Sequence, residues 1–128
     1  MNTYAVRKAT QPLLQTPEAL QKRVYYNQAP EDKTYPYAVY YLKPDPMQYP
    51  AEHWMLHIEI YDKSDNTNCI EQIADQLINE LDFANKPNET ILPTYYFDDR
   101  DFSRDTDKGL LIIDLRFEIN NYENESGE

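Results

Sequence analysis

From Glu52 to Asp62 the chain alternates without a break between two kinds of side chain. Trp54, Leu56, Ile58 and Ile60 fall on one side, and His53, Met55, His57, Glu59 and Tyr61 on the other. A period of two with one apolar side is the signature of a strand that buries one face. Residues Leu110 to Ile119 repeat the pattern, with Leu111, Ile113, Leu115, Phe117 and Ile119 inward and Asp114, Arg116 and Glu118 outward. Between these two segments the period changes. From Asn68 to Phe83, Cys69 or Ile70, then Ile73, Ala74, Leu77, Ile78 and Leu81 recur at three- and four-residue spacing, and polar residues fill the gaps. That spacing predicts an amphipathic helix. Ser64 to Asn68 supplies N-cap candidates, and Asn85-Lys86-Pro87-Asn88 ends the run.

The remaining segments add weaker elements to this frame. Thr3 to Leu14 carries a thin apolar stripe of Val6, Leu13 and Leu14, which predicts a short N-terminal helix. At Thr16-Pro17-Glu18 the first residue suits an N-cap, the proline a first helical position, and the glutamate the positive end of a helix dipole. Short strands are expected at Arg23 to Tyr26 and at Tyr35 to Leu42, where Pro36 is tolerated at a strand start or a sheet edge. Lys43 to Glu52 holds three prolines and reads as a loop or a broken extended segment. Ile91 to Phe97 alternates imperfectly as a further strand, and Tyr122 to Glu128 reads as an acidic frayed tail. Strands around one long helix, without a regular βαβα order, predict an α+β domain over residues 1–121. It would have an antiparallel sheet of about four to five strands, the long helix on one face, and a short N-terminal helix.

Charge narrows the function classes. The net charge is −11, with residues 1 to 60 neutral and residues 61 to 128 supplying all of it. Such a surface disfavours gripping phosphate backbones or anionic membranes. The segment from Met1 to Thr10 has no apolar core of signal-peptide length. No run approaches the ~18 apolar residues of a membrane span. The expectation is a protein made in the cytoplasm.

Each candidate for chemistry meets a physical objection. His53 and His57 share a strand face with Glu59, a set that suits zinc. Four residues of extended chain hold the two imidazoles about 13 Å apart, however, so one ion cannot take both. Asp98, Asp99, Asp101, Asp105 and Asp107 crowd one segment. A calcium loop there needs Gly at its sixth position and Glu at its twelfth. Loops started at Asp99, Asp101 or Asp105 put Arg104, Thr106 or Leu110 at the sixth, so each register fails. A solvated acidic loop or hairpin, partly neutralised by Arg100 and Arg104, is the reading adopted. Cys69 lies by the helix start, where thiol pKa values fall, but on or near the apolar stripe. One cysteine also excludes an internal disulfide. No catalytic residue, metal ligand or cofactor is therefore expected, and no enzyme. The tyrosine clusters lack the basic groove of single-strand binders and suit core and protein interface instead. Tyr40, Tyr41, Pro44, Pro46, Tyr49, Tyr95 and Tyr96 are the interface candidates.

The order of segments adds a resemblance. Arg23-Val24-Tyr25, Ala29-Pro30 and Tyr35-Pro36-Tyr37-Ala38-Val39-Tyr40 come first. The strand from His53 to Asp62, Ile70-Glu71-Gln72-Ile73-Ala74-Asp75-Gln76-Leu77, and the strand from Leu110 to Ile119 follow. Over roughly residues 16 to 120 this resembles the tail-completion (tail terminator, tail-to-head joining) proteins of long-tailed bacteriophages and prophages. The proline-rich Lys43 to Pro50 segment and the tyrosine excess depart from that pattern. The resemblance implies a structural virion protein of the tail or neck, acting as an oligomeric ring, typically of six subunits. It also implies tail tube and head–tail connector proteins as partners, DNA passing through without specific binding, and no catalytic positions. On that reading, Asp98, Asp99, Asp101, Asp105 and Asp107 face the lumen and repel passing phosphates. A soluble acidic adaptor or inhibitor, a head-side connector adaptor, and a metal-dependent enzyme are the alternatives.

Overall fold

The computed structural model describes residues 3–45, 52–84 and 91–123. Helix α1 (Thr3–Leu14) leads through a 3₁₀ turn (Glu18–Leu20) into β1 (Val24–Tyr26) and β2 (Tyr37–Asp45). Then come β3 (Glu52–Lys63), α2 (Asn68–Leu81), β4 (Ile91–Asp105) and β5 (Leu110–Glu123). The five strands form one sheet in the order β1-β2-β3-β5-β4. Four of them pair antiparallel, as expected, but β1 runs parallel to β2 with Tyr25 opposite Val39. The sheet is therefore mixed.

The alternation read from the sequence decides which face the helices cover. Trp54, Leu56, Ile58 and Ile60 of β3 pair with Ile119, Phe117, Leu115 and Ile113 of β5, and all eight are at most 1% exposed. Paired residues share a face. The stripe of α2, Ile70, Ile73, Ala74, Leu77 and Leu81, packs on that side with Ala5, Val6, Leu13 and Leu14 of α1. Burial of each large apolar side chain stabilises the fold by about 1.5–3 kcal/mol. A polar relay ties α1 to β4 inside this core. The Thr10 hydroxyl donates to the Val6 carbonyl at 2.7 Å, and the buried Tyr95 hydroxyl lies 2.8 Å from the same oxygen. Because Thr10 has one proton and gives it to Val6, Tyr95 is the donor of the second bond.

Several local expectations change. Thr16 does not cap the turn that follows it: its hydroxyl donates back to Leu13, closing the end of α1. Pro17 is the N-cap of the 3₁₀ turn. β2 extends into the proline-rich segment as far as Asp45, with Pro44 opposite Trp54. Pro44 fits there because β1 pairs only with residues 38–40, so its side of the strand has no ladder to donate to. β4 runs eight residues past Phe97, and β5 continues through Glu123, beyond the expected tail boundary. Residues 124–128 lie outside the described residues. No described helix is long and apolar enough to cross a membrane.

Candidate functional site

The face of the sheet turned away from α1 and α2 is covered by no described helix. It holds the residues that the alternation sent outward. On β1, β2 and β3 these are largely aromatic. Tyr37 stacks on Tyr61 at 5.0 Å with the rings 15° apart. Tyr25 and Tyr35 tilt against Tyr37 at 6.2 and 5.3 Å, and Tyr41 tilts against the His57 ring at 5.9 Å. This overlap leaves Tyr37 5% exposed although no helix lies above it. Burial pushes the Tyr37 hydroxyl up to about 12, helped by Tyr35 and Glu59. Tyr61 is raised further, by burial first and then by Glu59.

Toward β5 and β4 the same face becomes charged. Glu59 stands opposite Asp114, and His57 opposite Arg116. The His57 Nε2 atom lies 3.4 Å from Asp114 Oδ1, an ion-pair distance when the imidazole is protonated. Burial raises the Asp114 pKa, His57 opposes that rise, and Glu59 adds to it. The Arg116 guanidinium leans toward Asp99, 4.0 Å away.

Of the two readings, loop or hairpin, the acidic segment takes the second and forms a hairpin arm. Only residues 106–109 turn, with Gly109 at a φ of 63° where a side chain would be strained. Asp98 sits at a β-bulge between Phe97 and Asp99. Beyond the bulge, Asp99, Asp101 and Asp105 share the uncovered face, while Arg100, Phe102 and Arg104 share the helix side. The Arg100 guanidinium meets Asp75 of α2 at 2.6 Å, which fixes that orientation. Asp98 is exposed beside the bulge and Asp107 is exposed in the turn. β4 is also a sheet edge, and charges along an edge strand block pairing with other chains. Phe83 and Ala84 cover part of it, bonding to Tyr95 through the backbone at 2.8 and 3.0 Å.

The seven interface candidates separate. Tyr40 and Tyr95 have no exposed surface and belong to the core. Tyr40 reaches the Gln11 amide oxygen and Tyr95 the Thr10 hydroxyl, so these two are corrected from interface to core. Burial raises both hydroxyls to about 12. Tyr41 and Tyr96 are half-buried on the uncovered face, and Pro44 is exposed. Pro46 and Tyr49 lie outside the described residues. Tyr61 joins Tyr41 and Tyr96 on the uncovered face, a position that its parity with Met55, His57 and Glu59 signals in the sequence. The other expected sites stay apart from one another. His53 lies opposite Asn120, near the far end of β3 from Tyr61. Cys69 is half-buried against the core, and burial raises its thiol pKa, with Asp62 adding to the rise. A raised thiol pKa opposes the thiolate a nucleophile needs.

No protein-family model matches the sequence, and no curated protein matches it. Among solved structures, a chain of the virion of a native gene transfer agent particle shares the fold. The alignment covers 95% of this chain and all of that one, with a TM-score of 0.66 at 17% identity. That superposition shows a shared α+β fold of matching extent, and at 17% identity it shows the fold alone.

Proposed function

We propose that this chain is a structural protein of a phage-type virion. In it the chain closes the tail tube and joins it to the head as an oligomeric ring, with tail tube and connector proteins as its neighbours. The observation that carries this reading is the end-to-end fold match to a chain of a virion particle. The order of sequence motifs, which resembles tail-completion proteins, agrees with it. The role is one of assembly rather than catalysis. In it DNA passes the ring without being gripped, and the carboxylates of the β4–β5 hairpin face the bore.

Sedimentation velocity of the full chain, alone and with isolated tail tubes, tests the ring. The expected result is a discrete closed oligomer on or with the tubes, favoured by added salt, because salt screens like charges between neighbours. D99N/D101N should weaken that salt dependence while leaving stability within about 0.5 kcal/mol. A chain that stays monomeric with tubes at every salt concentration would overturn the proposal in favour of a soluble adaptor.

A further inference from the structure

We propose that His57, Glu59 and Asp114 form a binding site for a divalent transition cation of the zinc class on the uncovered face of the sheet. The inference stands independently of the virion reading. His57 and Glu59 are two apart on β3 and so share a face, and Asp114 is the cross-strand partner of Glu59. The pleat thus delivers three donor groups to one place. One ligand atom from each lies within 4.8 Å of the others.

Three observations separate this cluster from ordinary surface charge. First, the carboxylates of Glu59 and Asp114 stand directly opposite, an arrangement that destabilises a sheet unless a positive charge lies between them. Arg116, two residues along β5 on the same face, acts favourably on Asp114 but makes its ion pair with Asp99. Second, His57 Nε2 and Asp114 Oδ1 are both shielded from solvent and make no hydrogen bond. Each has only the other, at 3.4 Å, to offset the cost of its desolvation. Third, their 3.4 Å separation is long for a charge-assisted hydrogen bond. It matches the edge of roughly 3.3–3.5 Å spanned by two ligands at zinc distances in a tetrahedron.

The donor set selects the ion class. A neutral imidazole nitrogen favours zinc, cobalt or nickel over calcium and magnesium, which take oxygen. Two carboxylates neutralise the divalent charge. Three protein ligands leave a fourth position for water or for a group on a partner surface. Tyr41, the cross-strand partner of His57, and Tyr61, two residues along β3 from Glu59, flank the cluster. His53, which the sequence pairs with His57, plays no part, because the third ligand comes from β5 rather than from along β3.

The test uses the purified full chain after chelation. Calorimetric titration with Zn²⁺ or Co²⁺ should show one ion per chain, and Co²⁺ should give the visible absorption of a low-coordinate site. H57Q, E59Q and D114N should each weaken binding at least about tenfold, while H53Q leaves it unchanged. Thermal unfolding in chelator shows that each variant is folded. In the wild-type chain, Zn²⁺ should shift the imidazole proton resonances of His57 and not those of His53, a readout independent of any variant. Absence of saturable binding at one ion per chain would overturn the proposal. So would binding that survives H57Q, or a titration that moves the His53 signals instead. A His57–Asp114 proton-mediated ion pair is then what the 3.4 Å contact represents.

Discussion

The two faces of this sheet are made of the same strands and differ in almost every other respect. The face under α1 and α2 is apolar and shielded. Thr10 and Tyr95 form a closed polar relay there, whereas Trp54 Nε1 and the Asn121 side-chain amide on the same face make no hydrogen bond. The uncovered face is aromatic at one side and charged at the other, and it leaves polar atoms of His57 and Asp114 without hydrogen bonds. The first arrangement makes the fold stable. The second carries aromatic and charged groups that the packing of the helices does not require, and the proposed ion site lies among them.

Substitutions can break that contrast or sharpen it. The largest effect is expected from neighbours that point opposite ways. Phe117→Ala removes a buried ring and should destabilise by about 3–5 kcal/mol, whereas Arg116→Ala should stay within about 0.5 kcal/mol. Urea unfolding followed by circular dichroism measures both; similar values would mean that the uncovered face is part of the core. An intermediate effect is expected within the relay. Thr10→Val leaves the buried Tyr95 hydroxyl without an acceptor and should cost about 1–3 kcal/mol. Tyr95→Phe removes that donor and should cost about 1 kcal/mol, and the double variant should fall below the sum of the two singles.

The smallest effect at neutral pH is a titration. The Tyr37, Tyr40 and Tyr95 hydroxyls are raised by burial to about 12 from a normal 10.0. A group raised in the folded state contributes stability that is fully present below its unfolded pKa and lost as pH rises through its folded pKa. Stability should therefore hold up to pH 10 and fall between pH 10 and 12. Tyr61→Phe should flatten that fall by removing the raised hydroxyl stacked on Tyr37. Denaturant midpoints across that range, with ultraviolet tyrosinate absorbance alongside, measure it. An unchanged slope would show that the aromatic layer on the uncovered face is solvated.

The elements with the strictest period were the ones legible in the sequence. Trp54 to Ile60, Leu111 to Ile119 and the stripe of α2 all lie where alternation and helical spacing put them, because each buries one clean face. The misreadings fall where local signals compete with long-range pairing. Val24 to Tyr26 is too short to announce a direction, and its parallel pairing depends on a connection that returns to the same edge. The strand read as ending at Phe97 runs on to Asp105, because fourteen residues of β5 give the acidic stretch a ladder to follow and make it the hairpin that its composition left open. The same limit hid the third member of the His57 cluster. Asp114 is more than fifty residues away in the chain, and only the β3–β5 register brings it opposite Glu59. Tyr40 and Tyr95 were misassigned because a tyrosine's hydroxyl lets it serve a core or an interface equally well.

The bulge at Asp98 carries a genetic consequence. A single extra residue between Phe97 and Asp99 shifts the odd–even parity of β4 while both flanks keep their pairing with β5. Before it the odd-numbered residues face the helices, and after it the even-numbered ones do, which leaves Asp99, Asp101 and Asp105 on the uncovered face. Loss of that one codon closes the bulge and still leaves Phe97 opposite Phe117 and Asp99 opposite Arg116, so the charge this arm shows to its surroundings survives it. A one-residue insertion or deletion further along the arm, with no bulge to absorb it, is what exchanges the acidic and basic sides.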